Sequence, residues 1–176
     1  MEYQKASVKK IALPYGAILG LLTVMLSVIV YVMDQTYEQP WWQGVLGMIM
    51  IIACIILGLK AFKKDNSGFL SLGEAIKVGL AISLIAAIIG VLFNLIFMNF
   101  IEPDFVTNML AASEDKMLEQ NPNMTQEQID MAMGISETMM SPLILSALSI
   151  IWVLFLGFIV SLISGLVMKV NRPAHI

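Results

Sequence analysis

A carboxylate beside a lysine is the first group in this chain that could do chemistry. Glu74 and Lys77 stand one helical turn apart at the start of a long apolar run, within the stretch GFLSLGEAIKVG. Ionisable groups at membrane depth are commonly functional, so Glu74 could take part in proton or cation movement. Alternatively, Ser71 and Glu74 have the S-x-x-E spacing of a capping box at a helix start. We expect the cap, because both residues precede the apolar run.

A stripe of small residues is the second feature, and it ends in an asparagine within an apolar run. Small side chains at three- and four-residue spacing let helix backbones approach, and a membrane asparagine needs a hydrogen-bond partner on another helix. We therefore expect helix packing, with a pore lining as the alternative. The candidate packing residues are Gly16, Gly20, Gly79, Ser83, Gly90, Asn94, Gly157, Ser161 and Gly165.

Methionines form the third candidate group, because seven of the fourteen fall between residues 102 and 141. Thioethers can select Cu(I), so metal capture is one hypothesis. No histidine or cysteine stands beside them, however, and flexible methionines commonly make adaptable apolar contacts. We expect an apolar contact surface and no bound cofactor or metal.

The residue types in the sequence give little support for catalysis. An enzyme needs positioned acid, base, nucleophile or metal-binding groups, yet the only histidine is His175 and the only cysteine, Cys54, lies in an apolar segment. There is no phosphate-binding loop, zinc spacing or nucleic-acid patch. We expect a protein that is not an enzyme and does not bind nucleic acid.

The elements that must position these residues are membrane helices. The chain is 59% hydrophobic and 13% charged, with a mean hydropathy of +0.85, too apolar for an ordinary soluble domain. A bilayer core about 30 Å thick requires roughly 20 apolar residues per spanning helix. We predict one all-α membrane domain over residues 1–176, in contact with the lipid bilayer. Its four predicted transmembrane helices are 13–33, 41–62, 75–101 and 142–168.

Charge divides the loops into two classes. Nine basic and three acidic residues belong to the N-terminus, the second loop and the C-terminus, whereas one basic and ten acidic residues belong to the other two loops. Lysine and arginine are retained on the cytoplasmic side of a membrane. The pattern predicts a multi-pass protein with both termini in the cytoplasm.

The long acidic loop, residues 102–141, is predicted to form a helical hairpin. A first helix should follow EPD and end before NPN, and a second should begin at Thr125, with Gln128 completing a capping box. Ser141 and Pro142 supply the N-cap and the first position of the last transmembrane helix.

Several motifs together resemble the four-helix bacterial membrane proteins of domain-of-unknown-function family 4199. They are KKIALPYGAILGL, GFLSLGEAIKVG, MNFIEPDF and LGFIVSLISGLVMK. The resemblance implies a Gram-negative inner membrane with the acidic loop in the periplasm. It implies no reaction, substrate or ligand.

Two functional hypotheses follow. The first is a non-catalytic integral membrane protein of the cell envelope that serves assembly or partner binding, as a homo-oligomer or with other membrane proteins. The second is a small oligomeric transporter or channel, in which Asn94 would be the central polar group.

Overall fold

The computed structural model describes residues 6–172, so Glu2, Lys5 and His175 lie outside the described residues. The described chain is helical, in the order α1 (Val8–Val32), α2 (Trp41–Asp65), α3 (Leu72–Ile96), α4 (Phe105–Gln120), α5 (Gln126–Met139) and α6 (Pro142–Met168). A π-helical segment, Phe97–Ile101, continues α3.

Four of these helices are long and apolar enough to cross a membrane: α1, α2, α3 with its π-helical extension, and α6. The all-α fold with four membrane-spanning helices is therefore confirmed. Most helix ends differ from the apolar segments by a few residues. Helix α1, for example, begins at Val8, five residues before the predicted start, because hydropathy marks the apolar part of a helix and not its polar first turn.

Helix α3 lies at the centre of the bundle. It packs against α1, α2 and α6, while α2 also contacts α1 and α6. Only 11% of the apolar window of α6 is buried, so most of this helix faces outward. Two ends of the bundle can be distinguished: the lysine-rich end holds the start of α1, the α2–α3 loop and the end of α6, and the acidic end holds the other connections.

The tightest part of the core lies toward the lysine-rich end. Side chains from α2, the α2–α3 loop and the first half of α3 are fully buried there. They include Ile55, Leu59, Leu70, Val78 and Ile82. Dense packing of this kind closes the lysine-rich half of the bundle.

Small residues set the approach of α3 to α6. A Cβ atom added at Gly157 would overlap the Ser83 side chain, and one added at Gly79 would overlap Ser161. A Cβ at Gly165 would lie 2.7 Å from the Cβ of Ala75. Because real Cβ atoms do not approach this closely, glycine is required at these contacts.

The packing of α1 on α3 uses the GxxxG pair. A Cβ at Gly16 would lie 2.7 Å from Ile85 Cβ, and one at Gly20 would lie 2.8 Å from Ile89 Cβ. Gly58 of α2, which the sequence pattern did not single out, would place a Cβ 2.5 Å from Ile82 Cδ1. Helices α1, α2 and α6 thus each pack closely against α3.

Helices α4 and α5 occupy the acidic loop. Thr125 and Gln128 form the reciprocal hydrogen bonds of a capping box at the start of α5, and Pro142 occupies the first turn of α6. Ser141 stands at the N-cap position, but its side chain makes no capping hydrogen bond. The arrangement of α4 and α5 as a hairpin on the membrane surface stays a prediction.

We expect Gly157→Leu to destabilise the bundle, since the new side chain must displace Ser83. Overpacking of this kind costs about 1–3 kcal/mol, so the midpoint of thermal unfolding in detergent should fall. Gly44→Leu is the matched control, because a Cβ at Gly44 would meet no described atom within 4 Å beyond its chain neighbours and the nearby backbone of its own helix. Equal unfolding midpoints for the two variants would contradict this account of the α3–α6 contact.

Candidate functional site

A groove opens into the acidic half of the bundle, and it consists of two adjoining cavities. The inner cavity, here called the chamber, has a volume of about 160 Å³ and is lined by residues of all four spanning helices. The cavity nearer the acidic end, here called the mouth, has a volume of about 220 Å³. Ser27, Phe93 and Asn94 line both cavities, so the two cavities lie side by side.

Separation of α6 from α3 and α1 creates the chamber. The small-residue contacts between α3 and α6 lie toward the lysine-rich end. Beyond them, a Cβ at Gly90 of α3 would meet no described atom within 4 Å apart from its chain neighbours and the nearby backbone of α3. Gly90 instead lines the chamber together with Ser149 and Val153 of α6. The bundle is therefore closed at one end and open toward the other.

Gly90 and Asn94 differ from the other candidate packing residues in their surroundings. Both were expected at a helix contact, but Gly90 borders open space, and Asn94 is exposed, without a side-chain hydrogen bond to any described residue. The remaining candidates, Gly16, Gly20, Gly79, Ser83, Gly157, Ser161 and Gly165, lie where helices meet. The physical reason is that α6 diverges from α3 beyond the small-residue contacts, so the later part of the stripe faces α6 across the chamber.

Most hydroxyl groups of the chamber are already paired. Thr23 Oγ1 donates to the carbonyl of Gly20, and Ser27 Oγ donates to the carbonyl of Thr23. Ser149 Oγ similarly donates to a carbonyl of its own helix. These side chains consequently present few hydrogen-bonding groups to the chamber, and the Asn94 amide is the main polar group at its junction with the mouth.

Four aromatic rings line the mouth: Tyr31, Phe93, Phe97 and Phe105. Phe97 contacts the other three, with ring centroids 5.1, 5.9 and 5.7 Å away, respectively. It belongs to the π-helical segment, in which the amide of Glu102 donates to the Phe97 carbonyl at 2.8 Å. Such segments are frequent at functional sites, and this one directs the chain from α3 toward the loop between α1 and α2.

Glu102 joins three parts of the acidic end. Its carboxylate accepts hydrogen bonds from the hydroxyls of Tyr31 at 3.3 Å and Tyr37 at 3.1 Å, and from the Asn108 amide at 3.4 Å. Burial raises the pKa of the Tyr37 hydroxyl, as does Glu102, while the Asn108 hydrogen bond opposes them. Tyr37 therefore stays protonated at neutral pH and donates to the carboxylate.

A second polar cluster lies at the lysine-rich end, centred on the fully buried side chain of Asn66. Its oxygen accepts from the backbone amide of Ala6 at 3.2 Å and from Arg172 at 2.7 Å. Its amide nitrogen donates to the Phe69 carbonyl at 2.9 Å and to Glu74 at 3.5 Å. Every hydrogen-bonding position of this side chain is used.

Further contacts reinforce this cluster. Leu70 and Val170 exchange two backbone hydrogen bonds of 3.0 Å, and Lys63 Nζ donates to the Met168 carbonyl at 2.8 Å. The chain before α1, the α2–α3 loop and the chain after α6 are thus held together. The sequence did not single out Asn66, because burial of a loop asparagine depends on contacts remote in sequence.

Glu74 lies within this cluster and caps α3. Its carboxylate accepts from the Ser71 amide and hydroxyl, each at 2.9 Å, and its backbone amide donates to Ser71 Oγ at 3.3 Å. All these bonds are made at the first turn of the helix. The structure therefore gives Glu74 a capping geometry, and it does not place the carboxylate in the groove.

The described residues bring together few side chains that could bind a metal ion. Within residues 6–172, no group of three or more histidine, cysteine, aspartate or glutamate side chains is arranged to hold a metal ion. Among the methionines of the acidic loop, Met109 and Met140 line a small cavity of about 140 Å³, and Met109 accepts a hydrogen bond from Gln39 at 3.8 Å. The chamber and the mouth are each larger than this cavity.

A family model described as "Protein of unknown function (DUF4199)" matches residues 14–170. The match extends from α1 to just beyond α6, so the resemblance drawn from the sequence motifs is confirmed. No curated protein and no solved structure shows a significant match. The family description assigns no reaction or ligand.

We expect Asn66→Ala to destabilise the protein, because it removes the partner of two donors and two acceptors at the lysine-rich end. Leaving buried polar groups unpaired costs about 1–3 kcal/mol each. Thermal unfolding in detergent should show a lower midpoint, and limited proteolysis should cleave the chain after α6 sooner. Asn123→Ala is the control, because Asn123 is exposed in the α4–α5 connection. An unchanged midpoint for Asn66→Ala would refute the role given to this cluster.

Proposed function

This chain belongs to the DUF4199 family of proteins of unknown function, and we propose that it is a non-catalytic membrane protein that binds a partner within the bilayer. The groove formed by the chamber and the mouth is the proposed binding site. One observation carries the proposal: at the junction of the two cavities, Asn94 is exposed and has no side-chain hydrogen bond to a described residue.

An unpaired amide within a membrane is unfavourable, since hydrocarbon offers it no hydrogen bond. Binding of a partner with a polar group would satisfy Asn94 and cover the apolar walls of the chamber. The two cavities together also reach the range of about 300–1,000 Å³ typical of ligand sites.

A catalytic role is not supported by the groups around the groove. The chamber and the mouth are lined by apolar, aromatic, hydroxyl and amide side chains, whereas acid–base or nucleophilic catalysis needs an ionisable or activated group beside the substrate. Glu74, the most suggestive carboxylate of the sequence, is committed to the helix cap. Binding without reaction is the simpler proposal.

Orientation follows from charge. The lysine-rich end would face the cytoplasm and hold both termini, and the acidic end would face the periplasm if the membrane is a bacterial inner membrane. The proposed groove would then be open from the periplasmic side and from the adjacent leaflet.

Transport is the second candidate, favoured by the one-sided shape of the groove. A groove open at one end and closed by the buried side chains at the other resembles half of a transport pathway. Among the described residues, no acidic or basic side chain lines either cavity, so a proton- or ion-coupled mechanism would lack its usual charged groups. Solute flux in liposomes that Gly90→Leu abolishes would favour transport over simple binding.

Site-specific photocrosslinking tests the binding proposal. A small diazirine-bearing side chain at position 149 would face the groove, whereas the same group at position 151 would replace an outward-facing isoleucine that is 62% exposed. In native membranes we expect a discrete adduct from position 149 and only diffuse labelling from position 151.

Gly90→Leu provides the blocking control, because the new side chain has room to extend into the chamber. It should remove the adduct formed at position 149, while Gly44→Leu should leave it unchanged. Identical labelling at positions 149 and 151, or an adduct that persists in Gly90→Leu, would contradict the proposal.

A further inference from the structure

We propose that the partner in the groove is a membrane phospholipid with an ammonium-bearing headgroup. Its acyl chain would lie in the chamber and its ammonium group in the mouth. The inference rests on the proposed binding function and adds the chemical class of the ligand.

The chamber is suited to an alkyl chain. Its walls are mainly aliphatic, and the hydroxyls that border it already donate to backbone carbonyls. An alkyl chain therefore gains contacts there without breaking the hydrogen bonds of these hydroxyls. The larger aliphatic side chains of the wall are those of Leu19, Val24, Ile51, Val91 and Val153.

The mouth is suited to a cation. The rings of Tyr31, Phe93, Phe97 and Phe105 line it, and aromatic groups attract ammonium groups through their quadrupoles. The Glu102 carboxylate is hydrogen-bonded to Tyr31 of this lining at 3.3 Å. Within the described part of the chain, no lysine or arginine lines either cavity, so an ammonium group is favoured over an anionic one.

One basic group does lie near the mouth without lining it. Lys116 Nζ donates to the carbonyls of Tyr37 at 3.0 Å and Glu38 at 3.5 Å, in the loop that also contributes Thr36 and Gln39 to the mouth. This position provides a countercharge for a phosphate just outside the mouth. The combination matches a zwitterionic headgroup, with its positive group inside and its negative group at the rim.

The location of the mouth identifies the bilayer as the source of the ligand. It lies at the ends of α1 and α3 and beside the start of α2, where Trp41 is 80% exposed, and exposed tryptophans favour the headgroup level. Lipid headgroups are present at this level in every membrane. A lipid could thus place its headgroup in the mouth and direct one chain along the groove.

Binding of two single-chain lipids with the same acyl group tests the inference. The full chain, delipidated in an uncharged detergent, would be titrated with lysophosphatidylethanolamine or lysophosphatidylglycerol and followed by native mass spectrometry. We expect about tenfold tighter binding of the ethanolamine lipid, equivalent to about 1.4 kcal/mol. Equal binding of the two lipids, or a preference for the anionic one, would overturn the inference.

Two variants separate the parts of the site. Gly90→Leu should reduce binding of the ethanolamine lipid about tenfold by filling the chamber, and Gly44→Leu should not. Glu102→Gln keeps a hydrogen-bond acceptor beside Tyr31 but removes the negative charge. It should therefore reduce the difference between the affinities of the two lipids. Unchanged selectivity in Glu102→Gln, or unchanged binding in Gly90→Leu, would also overturn the assignment.

The outcomes distinguish this inference from the broader function. A groove-specific crosslinked adduct with the mass of a protein, together with no lipid selectivity, would reject the lipid and retain partner binding. Absence of both the adduct and the lipid complex would reject both. Binding of an alkylammonium detergent but not of the ethanolamine lipid would reject a bilayer lipid as the ligand.

Discussion

The close approach of α3 to α6 at small residues is the contact on which the rest of the structure depends. Because Gly79 meets Ser161 and Ser83 meets Gly157, the backbones of the two helices come together near the lysine-rich end. At Gly90, further along α3, the described residues leave open space instead of such a contact. The same pair of helices that closes one half of the bundle therefore forms opposite walls of the chamber in the other half.

Polar clusters at both ends complement this packing. In lipid, the hydrophobic effect does not drive helices together, and hydrogen bonds between segments contribute to their association. Asn66 joins the chain before α1 to the α2–α3 loop and to the chain after α6. Glu102 joins α1 and the α1–α2 loop to the segment that leads into α4. The groove thus lies between the closed lysine-rich end and the acidic end, where the hydrogen bonds of Glu102 connect the loops.

Short sequence motifs predicted the structure correctly where one helical turn contains all the interacting residues. The Ser71–Glu74 and Thr125–Gln128 pairs form capping boxes in the structure, because all the atoms involved lie within four consecutive residues. The small-residue stripe was informative only in part. Its spacing identifies one face of α3, but it does not specify where along that face α6 separates, and so Gly90 and Asn94 line a cavity. Asn66 gave no distinctive signal, since two of its four hydrogen-bond partners lie 60 and 106 residues away in the chain.

The sequence by itself determined the membrane class, the four spanning helices and the division into a lysine-rich and an acidic end. These properties follow from apolar length and from charge, which each segment carries independently of its neighbours. Tertiary structure alone decided which glycines contact another helix and where the groove lies. It also decided that the side chain of Asn66 uses all its hydrogen-bonding positions, whereas that of Asn94 has no hydrogen bond to a described residue. Those outcomes depend on the distance between helices, and that distance is set by side chains far apart in the chain that meet only after the bundle has formed.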